Sequence, residues 1–386
     1  GSYMPSLNTV ESIIRETYDM INAPNLVPII REVFACDLNV LDAYLKISTK
    51  SCAKFSFLFE SASKERLGQY TFLGTAPRKI LQTGKGFGAS VDPLPGLQAE
   101  LSGRRIAQVP GLVIPPLTGG AVGYVGYDCV RYFEPKTALP TVDVMKVPES
   151  LFMFFDTVVA FDRLTEKFSV IAYLHVPENL SRIPDAYDKA RKTIDSIVDI
   201  LLDTEKIIPQ QGFNIVKEEY TSNIGQSGYE KHVHTLKNHI IKGDIIQAVP
   251  SQRIKYPTSL PPFNIYQSLR EINPSPYLFY IDCCDFQIIG ASPELLVKEQ
   301  AGRIITHPIA GTVRRSQNEK EDKILAEKLR NSPKDRAEHI MLVDLARNDI
   351  NRVCDPCSTK VDRIMAVEKF SHVQHLVSQV SGVLRK

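Results

Sequence analysis

Three short stretches of this chain hold the residue types that could do chemistry. In His307-Pro-Ile-Ala-Gly311-Thr312 a flexible glycine precedes a hydroxyl donor. Glycine lets backbone amides approach an anion closely, which suits a small carboxylate ligand. Residues 335–349 read Asp-Arg-Ala-Glu-His-Ile-Met-Leu-Val-Asp-Leu-Ala-Arg-Asn-Asp, with Glu338 one and two helical turns ahead of Leu342 and Leu345. A carboxylate on that apolar stripe calls for a partner, either an arginine such as Arg336 or Arg347 or a metal. Residues 371–378, Ser-His-Val-Gln-His-Leu-Val-Ser, set His375 in an apolar run. It reads either as a satisfied core histidine or as a proton carrier near neutral pH. A fourth group, Glu294, closes Gly290-Ala-Ser-Pro-Glu294 between the apolar runs 286–289 and 295–297, where a strand-end turn with a solvated acid is the plain reading.

The elements that must position these residues are partly legible. Ser332 caps a helix with Pro333 at its first position and Asp335 in its first turn. Ser227 and Glu230 form a capping box for an earlier helix with Val233, Leu236, Ile240 and Ile241 on one face, and Gly243 stops it. A strand is expected at 245–249, then a hairpin from 277–281 and 286–289 with Cys283, Cys284 and Asp285 at its tip. Upstream, runs at 55–59, 70–73, 120–127, 151–161 and 168–173 have strand length and content. Helices are expected at 40–46 and 185–202. Strands and helices do not alternate strictly, so the fold class is α+β, mainly antiparallel sheets packed with helices.

Bulk properties exclude several classes. Of the 386 residues 43% are hydrophobic and the net charge is +2, enough for a core and too balanced for a nucleic-acid partner. No apolar run reaches the ~20 residues that span a bilayer. A soluble, cytoplasmic protein is expected. Residues 1–4 read as a cloning remnant, not a targeting peptide. Seven scattered cysteines argue against a disulfide framework, and Cys354-Asp-Pro-Cys357 has no second pair to complete a zinc site. No cysteine sits in a Gly-x-Cys-x-Gly nucleophile turn, so no glutamine amidotransferase machinery is present.

Taken together, the three motifs resemble the chorismate-utilising enzymes, and among them the large, component I type of anthranilate synthase, over nearly the whole chain. The resemblance implies that fold. It also implies chorismate bound at Gly311 and Thr312, Mg²⁺ at Glu338, Glu294 as the general acid for the departing ring hydroxyl, and His375 as the proton carrier of the final lyase step. Chorismate and ammonia would give anthranilate and pyruvate, with ammonia drawn from glutamine by a separate glutaminase subunit. Gln247 stands where isochorismate and salicylate synthases carry a lysine, and Ala310 where aminodeoxychorismate synthases do. The anthranilate reading is therefore preferred. Aminodeoxychorismate synthase component I is the enzymatic alternative.

A second set, Glu60-Ser61 with Asn273-Pro-Ser-Pro276-Tyr277-Leu278, resembles the family's tryptophan site. Glu60, Ser61, Pro276, Tyr277 and Leu278 would hold L-tryptophan as feedback inhibitor. The implied organisation is a regulatory region over 5–210, a linker at 211–228 and a chorismate-binding catalytic region over 229–386. The family's later segments, with a second metal-binding glutamate and a substrate tyrosine and arginine, do not occur before Lys386. The expectation is that this chain forms no measurable anthranilate, that tryptophan binding survives better than catalysis, and that an exposed sheet edge favours a homo-oligomer. A non-catalytic tryptophan-binding fragment is the alternative of another class.

Overall fold

A computed structural model describes residues 2–35, 37–62, 68–212 and 219–385. The expected α+β class is what forms, and among the described residues every strand-to-strand ladder is antiparallel. The largest sheet has eight strands in the order Tyr3–Met4, Leu26–Phe34, Lys167–His175, Thr157–Asp162, Tyr70–Thr75, Phe55–Glu60, Tyr277–Cys283 and Gln287–Ser292. Two findings follow for the expected organisation. Tyr3 and Met4, within the segment 1–4 that reads as a cloning remnant, pair with Arg31 and Ile30 at the sheet edge. The sheet also runs from the expected regulatory region into the catalytic one, because Phe55–Glu60 pairs with Tyr277–Cys283.

The apolar run at 151–161 is not one strand. It divides at Asp156 into Ser150–Phe155, in a three-stranded sheet with Lys79–Thr83 and Gly120–Val125, and Thr157–Asp162, in the large sheet. The division has a polar cause. Asp156 takes hydrogen bonds from Arg104 at 2.7 Å and His175 at 2.8 Å. Burial would raise its pKa, but those two partners outweigh burial and hold it at about 2. Between the two sheets Phe57, Leu151, Met153, Phe155, Val158 and Ile281 form one buried apolar cluster.

A five-stranded sheet carries the candidate residues Gly311, Thr312 and His375. Its central strand, Val373–Val383, pairs along one edge with Arg303–Thr306 and Ile309–Arg314 and along the other with Lys360–Lys369. The helix Pro333–Val353 lies on it, capped by Ser332 as expected, whose hydroxyl accepts from the Asp335 amide. Its buried stripe is His339, Val343, Ala346 and Ile350, which corrects the expected stripe through Leu342 and Leu345. Ala346 and Ile350 meet Ile304 and Val380 of the sheet, and this turns Leu345 outward, to 55% exposure.

By contact the chain divides into two compact units, 1–207 with 266–386, and 208–265. In the smaller unit Thr221–Ser222 pairs with Ile254–Lys255. Its helix, Gly225–Lys242, corrects the expected capping box: it begins two residues ahead of Ser227, and Ser222 Oγ accepts the amides of Ile224 and Gly225 instead. Gly243 ends that helix at φ 81°, as expected. The strand expected at 245–249 does not form. No described strand pairs with it, and Ile246 and Val249 stay exposed.

Candidate functional site

Thr312 and His375 are register partners on adjacent strands, and the ladder bulges between Ala310 and Thr312. Gly311 occupies that bulge at φ 73°, a conformation costly for any residue with a Cβ. The bulge turns the Gly311 carbonyl toward the imidazole, and His375 Nδ1 lies 2.9 Å from it. A carbonyl only accepts, so Nδ1 carries the proton, and in the neutral ring the lone pair falls to Nε2. Thr312 Oγ1 lies 3.2 Å from the same Nδ1, and the Phe370 ring packs edge-on at 5.2 Å. The imidazole is thus held in one tautomer with its basic nitrogen on the far side.

Glu294 lies within electrostatic reach of His375 and accepts the Ile309 amide. The residue as a whole is exposed, yet its carboxyl end is desolvated against that strand. Burial raises its pKa, and the Ile309 N–H opposes the rise without cancelling it. Such a carboxyl keeps its proton closer to neutrality, as a general acid needs. Glu294 also lines a cleft of about 520 Å³, opposite Leu342, Leu345 and Asp349 of the Pro333–Val353 helix. Glu338 is half-buried on the same face of that helix, one turn before Leu342.

Among the described residues no group of three or more His, Cys, Asp or Glu could hold a metal ion. The hard carboxylate of Glu338 would fit Mg²⁺ as one ligand of a site completed by substrate oxygens and water. Gly311, Thr312, Glu294 and His375 therefore converge, with Glu338 on the helix that walls the neighbouring cleft. Cys354 is buried, Cys357 is exposed, and both are free thiols.

The second set also comes together. Glu60 and Leu278 are register partners, and the Ala62 amide donates to the Ser275 carbonyl at 3.0 Å. Glu60 is not a bare carboxylate awaiting an ammonium group. Tyr266 donates to it at 2.6 Å, and Arg270 grips it in two places, at 2.8 and 3.0 Å. Arg163 approaches to 4.0 Å. Two guanidinium groups thus share one carboxylate beside a cleft of about 530 Å³ walled by Val40, Phe161, Pro274 and Leu278, with Glu166 on its rim. Sequence reasoning missed Arg163, Tyr266 and Arg270. The one available signal was the Tyr266–Arg270 spacing of one helical turn, which names no target.

With the geometry in hand, comparison with known proteins gives a consistent result. Residues 54–386 match the family model described as chorismate binding enzyme. Anthranilate synthase component 1 of Saccharomyces cerevisiae is 51% identical over 388 residues, covering 99% of this chain and 75% of that protein. The probable anthranilate synthase component 1 of Schizosaccharomyces pombe is 47% identical with the same two coverages. The crystal structure of anthranilate synthase component I from Streptococcus pneumoniae TIGR4 superposes with a TM-score of 0.69 at 31% identity, covering 84% of this chain and 71% of that one. MenF, the menaquinone-specific isochorismate synthase of Escherichia coli, shares the fold at a TM-score of 0.62 and 15% identity, covering 98% of this chain and 76% of that one.

Proposed function

The chain belongs to the chorismate-binding enzymes, and from that premise we propose that it is an anthranilate synthase large subunit, acting on chorismate and ammonia in tryptophan biosynthesis. The observation that carries this reading is His375 Nδ1 standing 2.9 Å from the Gly311 carbonyl, next to an acid whose pKa is raised. Gly311 and Thr312 orient a substrate carboxylate. Glu294 gives its proton to the ring hydroxyl as that group leaves and ammonia adds. His375 then takes the ring proton on Nε2 as the ring C–O bond breaks; the enolpyruvyl group departs as enolpyruvate, which gains a proton at its methylene carbon to become pyruvate. Bound beside Glu338, Mg²⁺ would supply Lewis-acid stabilisation of substrate oxygen charge.

Neither Gln247 nor Ala310 offers the amine that the two sibling chemistries use. Mass and fluorescence of the product made from chorismate, ammonia and Mg²⁺ test the assignment. Turnover by this chain is expected to be low or absent, so what counts is the identity of any product that forms: anthranilate with pyruvate fits the assignment, and an amino product that keeps its enolpyruvyl ether as the final species would overturn it. Ammonia from glutamine belongs to a separate glutaminase subunit, and a cytoplasmic setting suits the pathway. No helix among the described residues is long and apolar enough to cross a membrane.

The second cleft is the place for feedback by L-tryptophan. Ser61 is 7% exposed at the strand end where Glu60 and Leu278 pair. An arginine there would bring bulk and charge into the contact. Ser61→Arg is expected to remove tryptophan binding in calorimetry while the circular dichroism spectrum stays unchanged. Equal affinity in the variant would move the effector elsewhere.

A further inference from the structure

Asp322, on the helix Glu319–Asn331, is 3% exposed and lies outside both clefts. Its carboxylate is saturated by donors from three different segments. Arg315 Nε reaches both oxygens at 3.1 and 3.3 Å, and the Ser316 amide reaches Oδ1 at 3.0 Å. Lys369 Nζ reaches Oδ2 at 2.8 Å, and Gln374 Nε2 reaches Oδ1 at 2.9 Å. Gln374 Nε2 also donates to the Asp322 backbone carbonyl at 3.0 Å. These donors flank the turn at 370–372: Lys369 ends the strand before it, Gln374 sits at the start of the strand after it, and Arg315 follows the neighbouring strand Ile309–Arg314. Arg315 clamps the turn as well, by Nη1 to the Phe370 carbonyl at 2.6 Å and by its amide to the His372 carbonyl at 2.9 Å.

That turn holds the aromatic wall of the proposed base. The Phe370 ring stands 5.2 Å from the His375 ring, and Gln374 is the residue immediately before His375. Successive strand residues point to opposite faces. Anchoring Gln374 on the Asp322 side therefore fixes His375 on the Gly311 side. We propose that Asp322 is a positioning residue for His375, holding Phe370 and the strand start so that the imidazole keeps its Nδ1–H on the Gly311 carbonyl. This rests on His375 being the proton carrier. An ion pair that served stability alone would leave the ring's tautomer untouched, whatever it did to melting.

Histidine-selective ¹⁵N correlation spectra of the full chain read that tautomer directly, with the His375 signals assigned by their loss in His375→Asn. In the parent protein a single Nδ1–H pattern is expected. Asp322→Asn should collapse it toward the average of both tautomers. Phe370→Leu should do the same while leaving the Asp322 contacts and the melting temperature in place, so it decides the matter should Asp322→Asn not fold. An unchanged His375 pattern in a folded Asp322→Asn protein, or in Phe370→Leu, overturns the proposal. The readout needs no substrate. Chorismate turnover indifferent to His375→Asn would therefore sink the proton-carrier reading while leaving the positioning of the ring intact.

Discussion

Gly311→Val is expected to abolish chorismate binding and to lower stability by roughly 2–4 kcal/mol. Two independent costs add there. The backbone sits at φ 73°, where a β-branched residue is an outlier and left-handed geometry alone costs about 1–2 kcal/mol. A Cβ would also meet Leu329 Cδ1 at 3.0 Å and the Asp335 side chain at 3.2 and 3.3 Å. Those contacts leave valine's methyl groups nowhere to go, and relieving them moves the bulge. The Gly311 carbonyl then leaves His375 Nδ1, so the ring loses its tautomer as the loop loses its shape. Denaturant unfolding and calorimetry with chorismate read the two effects separately. A valine variant with parental midpoint and affinity would show that the bulge is incidental.

Glu60→Gln should be nearly as damaging for a different reason. The Glu60 side chain is wholly buried and ion-paired with Arg270, with Arg163 close by. Removing one partner of a buried pair costs about 3–5 kcal/mol, because the other charge is left uncompensated. Arg270 is 35% exposed, so water recovers part of that loss and the lower end, about 3 kcal/mol, is expected. The double variant with Arg270→Met should regain part of the loss, since it removes the stranded charge along with its partner. Additive unfolding energies in the two single variants and the double would show that the pair is not coupled. Tryptophan affinity followed in the same proteins would show whether the arginines beside the cleft serve the effector.

Local signals were readable and long-range ones were not. The Ser332 cap, the Gly243 stop, and the hairpin with Cys284 at φ 73° in its tip depend on neighbours within a few residues. The three motifs were legible because glycine, threonine, glutamate and histidine declare their chemistry by type. What failed depended on distant partners. Asp156 switches the chain between sheets through Arg104 and His175, and nothing inside 151–161 announces them. The helix Pro333–Val353 offers two apolar stripes, and only the sheet beneath decides that Val343 and Ala346 go in while Leu345 stays out. Glu60 finds Tyr266 and Arg270 at separations of 206 and 210 residues. The run at 245–249 has strand composition but no strand to pair with. Asp322 was invisible for the same reason, since each of its donors looks like an ordinary surface residue in isolation.

On the proposed site, chorismate binds at Gly311 and Thr312, and Glu338 would hold Mg²⁺ beside the substrate. One protein carboxylate makes a weak Mg²⁺ site alone, so metal and substrate must each tighten the other by the same factor. Titration calorimetry of chorismate with and without Mg²⁺, on the parent protein and on Glu338→Gln, measures that coupling. At least a tenfold gain in chorismate affinity with Mg²⁺ is expected, worth about 1.4 kcal/mol, with no gain in Glu338→Gln. Equal chorismate affinity with and without the metal, or a gain that survives Glu338→Gln, would contradict it.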